Sequence, residues 1–238
     1  MNLIMRGKTV KVPDVEKNWK EFEKHVNKGD HHNDDEEFPL AVCGPLTLGN
    51  ECLALKEMII CEDMPPGNIL EIGSWLGLST ITFALSLKEH YGNNCFFVVH
   101  AIDPHDEEHS KNTDNTRDYY ESADHKWNMH EVFLSNLEKW DVKDYVKVYR
   151  EYSFDFNINK ADNISMLFID GDHREKSVYK DLVKFAPLVK EGGLLILHDK
   201  WLDSVETAMN KFKHKNLQEW TAPINIPESD AMYILKKQ

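Results

Sequence analysis

The chain has no basic excess, no long apolar run and no paired-cysteine motif, and each shortage removes a class of function. Lys and Arg number 28 against 41 Asp and Glu, for a net charge of −13. Nucleic-acid binders bring clustered Lys and Arg to the phosphate backbone. No basic stripe occurs here, so no nucleic-acid partner is expected. The acidic excess can serve solubility alone. No apolar run approaches the length of a membrane span, and the start, Met1 to Lys8, lacks the apolar stretch of a secretory signal. No membrane partner is expected, and a cytoplasmic location is. Cys43, Cys52, Cys61 and Cys95 form no C-x-x-C pair, which argues against a zinc or redox motif and for reduced thiols. There is no internal repeat.

What is present suits one sizeable α/β domain: 238 residues, 41% of them apolar. Residues 1–44 read as a helical N-terminal extension or lid. A weak helical pattern runs through Val15, Trp19, Phe22 and Val26 and ends in the charged stretch 28–37. Residues 45–238 form the main domain. Apolar runs at 68–72, 95–102, 146–149, 164–169 and 194–197 read as strands, with two more within 219–235. Helical patterns over 47–60, 79–90, 129–139, 176–188 and 203–212 alternate with them. That alternation predicts a doubly wound, Rossmann-like, mostly parallel sheet of seven strands, with ligands at the carboxyl ends of the strands. Residues 105–128, rich in His, Asp, Tyr and Trp, show little periodicity and read as a functional loop.

Polar residues gather at four predicted strand ends. Glu71-Ile72-Gly73-Ser74-Trp75-Leu76-Gly77 is a strand running into a Gly-rich turn that opens a helix, a ready site for an anionic or zwitterionic ligand. Asp103 ends the next strand, where an acid accepts hydrogen bonds from both hydroxyls of a ribose. It also precedes Pro104, as a turn starter does. Together the turn and the acid favour a nucleoside ligand. Asp170-Gly171-Asp172-His173 and His198-Asp199 form the denser cluster. Carboxylates on one side of a cleft suit a hard cation such as Mg²⁺, and an adjacent imidazole shifts preference toward Mn²⁺. His173 is placed as a general base, since its ordinary pKa is near working pH. The plainer alternatives are that Asp172 caps the next helix and His198 is a buried, hydrogen-bonded histidine.

Leu70–Thr80, with its Glu-x-Gly-x-x-x-Gly core, resembles the first motif of class I S-adenosylmethionine-dependent methyltransferases. Ile169–His173, the segment Pro187–Gly193 and Leu194–Asp199 resemble a branch of small-molecule O-methyltransferases. That branch includes metal-dependent enzymes acting on sugar hydroxyls. The resemblance covers about residues 45–215 and implies an antiparallel last strand. It implies that Gly73 and the backbone at Ser74 approach the methionine part of S-adenosyl-L-methionine, with Glu71 beneath and Ser79 near its carboxylate. It implies that Asp103 holds the ribose, that Glu151, Tyr152 and Ser153 flank the adenine, and that Asp170 borders the cofactor. It implies Asp170, His198 and Asp199 as ligands of a divalent cation, Mg²⁺ or Mn²⁺, with His198 standing where relatives often carry an acid. His173 is then the first choice of base and Asp172 the second.

The reaction so implied is O-methylation of a sugar or glycan hydroxyl, an in-line displacement at a sulfonium that needs the hydroxyl to lose its proton. The loop 105–128 and the N-terminal extension would select the small-molecule or sugar acceptor, and a homodimer is expected by analogy. The competing readings are a metal-independent methyltransferase of another small molecule and a non-catalytic nucleoside-binding domain. An NAD-binding dehydrogenase fits less well, because the turn lacks the third phosphate-approaching glycine.

Overall fold

Short apolar runs fold here as strands separated by helices, in the order β1 (Asn2–Met5), β2 (Lys8–Lys11), α1 (Leu48–Ile60), β3 (Asn68–Ile72), α2 (Leu78–Tyr91), β4 (Val99–Ile102), α3 (Met129–Lys139), β5 (Val146–Tyr149), β6 (Ile164–Ile169), α4 (Glu175–Phe185), β7 (Val189–Leu197), α5 (Asp203–Lys215) and β8 (Tyr233–Lys236). The computed structural model describes residues 2–5, 8–11, 20–22, 48–60, 64–92, 95–106, 128–216, 218–224 and 231–238. β1 and β2 pair antiparallel. The other six strands form one sheet, β5-β4-β3-β6-β7-β8, parallel except for β8, which runs antiparallel to β7.

Period-2 alternation sends successive residues to opposite faces, and both faces are covered. Ile69, Met166, Phe168, Leu194 and Ile196 point into one core with Leu55 and Ile59 of α1, Phe83 of α2 and Phe133 of α3. Leu70, Leu167, Ile169, Leu195 and Leu197 point into the other with Leu182 and Phe185 of α4 and Val205 and Met209 of α5. A strand buried on both faces is mostly apolar, which is why β6 reads Ile-Ser-Met-Leu-Phe-Ile with no exposed residue, its one polar side chain, Ser165, donating to Asn68 O at 3.2 Å. Burying each large apolar side chain contributes roughly 1.5–3 kcal/mol.

Two expectations are corrected. Among the described residues the main sheet has six strands, not seven. Of the two strands expected within 219–235, only β8 forms among the described residues. Residues 219–224 run beside it through Thr221 N–H to Lys236 O (2.9 Å), Ile224 N–H to Ile234 O (2.7 Å) and a single bridge, Trp220 to Lys237. Pro223 has no N–H to extend that contact into a ladder. The N-terminal region is also not purely helical. β1 and β2 are strands, in keeping with β-branched Ile4, Thr9 and Val10. Helix is described only at 20–22, where Phe22 is fully buried and meets Trp140 edge-on at 5.0 Å.

Candidate active site

The register of the sheet lines up the polar residues. Tyr149, Ile102, Ile72, Ile169 and Leu197 lie in one row across β5, β4, β3, β6 and β7. The next residue on each strand therefore leaves the sheet along the same edge: Arg150, Asp103, Gly73, Asp170 and His198. Backbone bonds carry the ladder one step further, from Gly73 N–H to Ile102 O (2.9 Å), Asp170 N–H to Ile72 O (2.8 Å) and His198 N–H to Ile169 O (3.0 Å). The chain departs from β3 toward β4 and returns on the other side as β6, so the crevice between those two strand ends is the switch point where ligands bind.

Gly73 sits in that crevice with φ +87°, and a Cβ there would lie 2.2 Å from the Asp170 carbonyl oxygen. No other residue type fits, and the backbone is left open toward the crevice. Glu71, fully buried beneath the turn, accepts hydrogen bonds from Ser74 Oγ (2.9 Å), Ser79 Oγ (2.5 Å) and Thr80 Oγ1 (2.5 Å). It braces the turn against the first residues of α2. Burial pushes its carboxyl up to about 7, against the opposing pull of the three hydroxyls.

This raised value fixes a sign. A carboxyl that binds its proton more tightly in the folded state contributes stability fully present below its unfolded value of 4.5 and lost as pH rises through about 7. Glu71→Gln, which mimics the neutral form, is expected to gain on the wild type by up to about 3 kcal/mol between those limits. Paired denaturant melts at pH 4.5 and 7.5 measure the difference. Equal pH dependence in the two proteins would contradict the assignment.

Asp103 ties the turn to its neighbours. Its Oδ2 accepts from Ser74 N–H (2.8 Å) and Trp75 N–H (2.9 Å), and its Oδ1 from His105 N–H (2.7 Å). His105 is a functional candidate that the strand-end reasoning missed. It is buried, with Nε2 3.0 Å from the Trp75 carbonyl oxygen and Nδ1 3.2 Å from His130 Nδ1. A carbonyl only accepts, so Nε2 of His105 carries its hydrogen and Nδ1 receives the one on His130. Burial, then the facing His105 ring and Arg150, hold His130 below the usual imidazole value. Trp75, His105 and Asp199 all have positive φ, at 48°, 45° and 56°. Strain in non-glycine residues gathers at functional sites.

At the end of β5 the expected adenine corner is largely self-satisfied. Glu151 pairs with Lys160 (2.6 Å), Tyr152 donates to Asp106 Oδ2 (2.5 Å), and Ser153 donates to Asp181 Oδ1 (2.7 Å). Burial, opposed by the Ser153 bond and Lys184, lifts Asp181 to about 6. Tyr152 stacks on exposed Phe154, with centroids 5.0 Å apart, and the pair offers a flat face.

Across the crevice, Asp170, His173 and Asp199 each place a ligand-type atom within 4.8 Å of the others. His173 Nε2 lies 2.6 Å from Asp199 Oδ2 and 3.4 Å from Asp170 Oδ1. His198, almost fully buried, points Nδ1 at Asp170 Oδ1 and Asp199 Oδ1, 3.3 Å from each, yet is aligned for a hydrogen bond with neither. Its Nε2 faces Glu51 Oε2 of α1 at 3.4 Å. Cations bound at about 2.0–2.3 Å with ligands at right angles hold their donors roughly 3 Å apart. The orphaned nitrogen and the 3.3 Å spacings thus fit a divalent cation held by Asp170, Asp199 and His198.

The two imidazoles and the two carboxylates set one another's charge. Burial opposes charge on His173, but its bonds to Asp170 and Asp199 win and raise it to about 10. Burial likewise opposes charge on His198, and Asp170 foremost, then Asp199 and Glu51, hold it well above the ordinary value. Asp170 and Asp199, despite burial, are held below the usual carboxylate range by the two imidazoles.

Asp172 does not join this group. Its carboxylate takes Arg174 in a fork, the Arg174 N–H (3.0 Å) and Ser177 Oγ (2.8 Å), and those bonds bring it down to about 2 against the effect of burial. Residues 107–127, most of the loop assigned to acceptor selection, lie outside the described residues, as does most of 1–44.

A parallel sheet with a Gly-rich turn over its switch point, a braced acid beneath it and an acid on the next strand end defines a class I S-adenosylmethionine-dependent methyltransferase. The chain belongs to the family described as Methyltransferase domain, whose profile matches residues 70–200, more than half its length. It is similar in fold to the O-methyltransferase NovP (18% identity, TM-score 0.68), with 94% of this chain and 98% of that one covered. An O-methyltransferase from Bacillus cereus, solved in complex with SAH, shows 16% identity and a TM-score of 0.57 over 96% and 92%. CalS11, a TDP-rhamnose 3'-O-methyltransferase of calicheamicin biosynthesis, shows 12% identity and 0.55 over 98% and 99%. A search of curated proteins gives no match. Among the described residues no helix is long and apolar enough to cross a membrane.

Proposed function

We propose that this methyltransferase moves the methyl group of S-adenosylmethionine to a hydroxyl of a sugar or glycan, assisted by a divalent cation. The observation that carries the proposal is the buried, unbonded His198 Nδ1 aimed between two carboxylates across the crevice from Gly73. CalS11, whose fold is similar, acts on TDP-rhamnose, and this supports the sugar acceptor. Asp170, Asp199 and His198 would hold the cation, which supplies charge stabilisation for an oxygen losing its proton.

The chain's own groups supply the rest. Gly73 and the open turn position the donor, and Glu71 and Asp103 keep that turn rigid. His173 is the base. While Asp170 and Asp199 are uncompensated they keep His173 protonated, with its pKa at about 10. Charge compensation of the two carboxylates would let His173 give up one proton, and because Asp199 accepts from Nε2 the nitrogen left to take the acceptor's proton is Nδ1. Exposed Trp201, T-shaped to His198 at 5.9 Å, borders the acceptor side and offers a face to a sugar ring.

The second reading, a metal-independent methyltransferase of another small molecule, draws on the 2.6 Å His173–Asp199 contact, which orients His173 without help. The deciding experiment is a methyl-transfer screen over sugars and small alcohols with Mg²⁺ and Mn²⁺ present. We expect a product methylated on oxygen from a sugar. Turnover confined to non-sugar acceptors would overturn the sugar assignment, and methylation at nitrogen or carbon would overturn the hydroxyl assignment.

A further inference from the structure

We infer that Glu51 is a positioning residue that turns His198 into an Nδ1 ligand and thereby selects a transition-metal ion such as Mn²⁺ over Mg²⁺. The inference rests on the metal-assisted reading above and deepens it.

Glu51 stands on the core-facing side of α1, among Cys52, Leu55, Met58 and Ile59, and is almost fully buried. A carboxylate at a core position has to meet a partner. Its Oε2 meets His198 Nε2 at 3.4 Å, and His198 is itself more than nine-tenths buried. Carboxylates accept and do not donate, so Glu51 holds the hydrogen on Nε2 and leaves the Nδ1 lone pair available. That nitrogen is the buried atom without a hydrogen bond, 3.3 Å from one oxygen each of Asp170 and Asp199. A carboxylate behind a ligating histidine fixes its tautomer and orientation and raises its basicity. The nitrogen donor then favours a softer ion than an all-oxygen set takes.

The test uses the full chain, first stripped of metal. Calorimetric titration with Mn²⁺ and Mg²⁺ is expected to show tighter binding of Mn²⁺ by the wild type. Glu51→Gln should weaken Mn²⁺ binding by roughly 10- to 100-fold, while SAH affinity and melting temperature stay near wild type. Electron spin-echo spectra of the Mn²⁺-loaded protein should show coupling to a directly bound nitrogen. That coupling should persist in His173→Ala and vanish in His198→Asp, which should also lower the Mn²⁺-to-Mg²⁺ affinity ratio at least tenfold.

Wild-type Mn²⁺ affinity in Glu51→Gln, or nitrogen coupling that survives in His198→Asp, would overturn the inference while leaving metal-assisted transfer standing. Failure of the wild type to bind either ion would remove both. Should Glu51→Gln not fold, the His198→Asp selectivity and the wild-type nitrogen signal decide alone: no coupling in wild type, or an unchanged ratio in the variant, overturns it.

Discussion

Gly73→Ala is expected to leave the protein without measurable affinity for SAH. The residue has φ +87°, which an L side chain rarely adopts, and its Cβ would stand 2.2 Å from the Asp170 carbonyl oxygen. That oxygen belongs to backbone fixed by the Asp170 N–H bond to Ile72 O, so it cannot swing aside as a flexible side chain would. The ends of β3 and β6 must separate, or the turn must flatten into the space that the donor occupies. Strain and overpacking together cost roughly 2–5 kcal/mol of stability. Gly171→Ala is the matched control, because its Cβ would find nothing nearer than Ile72 Cγ2 at 3.5 Å. Calorimetry with SAH and a thermal melt on both variants read the effect. Gly73→Ala binding SAH like the control would contradict the placement of the donor.

His173→Ala should lower turnover by roughly 10²- to 10⁴-fold, the usual worth of a positioned acid–base group, with SAH affinity near normal. His173 reaches both Asp170 and Asp199 from the loop after β6, on the acceptor side of the crevice. Asp172, one residue earlier, provides the contrast. Its carboxylate is spent on Arg174 and Ser177. Asp172→Ala should cost about 1 kcal/mol of stability through its lost bonds to Arg174 and Ser177 and leave turnover within a few-fold of wild type. Single-turnover rates in the two variants separate the roles. A slow Asp172→Ala beside a normal His173→Ala would exchange them.

Much of the site edge could be read in advance because a parallel sheet converts sequence into position. Each strand ends where its apolar run ends, and one register row sets Asp103, Gly73, Asp170 and His198 side by side.

What escaped the sequence depends on helices and loops meeting strand ends. Glu51 lies 147 positions from His198, and only the packing of α1 against the sheet joins them. Its signal was present: Glu51 falls in step with Leu55, Met58 and Ile59, a charged residue on an apolar stripe. His105 and His130 are joined by the return of α3 over the glycine turn, which no local pattern specifies. Asp172 reads in the sequence as either base or cap, and the Arg174 fork takes its carboxylate out of both roles. The missing strand shows the limit of strand patterns at an edge, where Pro223 and a single bridge leave residues 219–224 beside β8 without a ladder.

The central claim, a methyl transfer assisted by a cation held at Asp170, His198 and Asp199, is tested most directly by chelation. Methyl transfer to the accepted hydroxyl substrate is measured before EDTA, after exhaustive EDTA treatment, and again after adding Mn²⁺. Loss of at least 100-fold in the chelated enzyme, with SAH binding retained and activity restored by Mn²⁺, is the predicted result, since the cation's charge stabilisation is worth several kcal/mol. Full activity after exhaustive chelation would contradict it and leave His173, oriented by Asp199, to act alone.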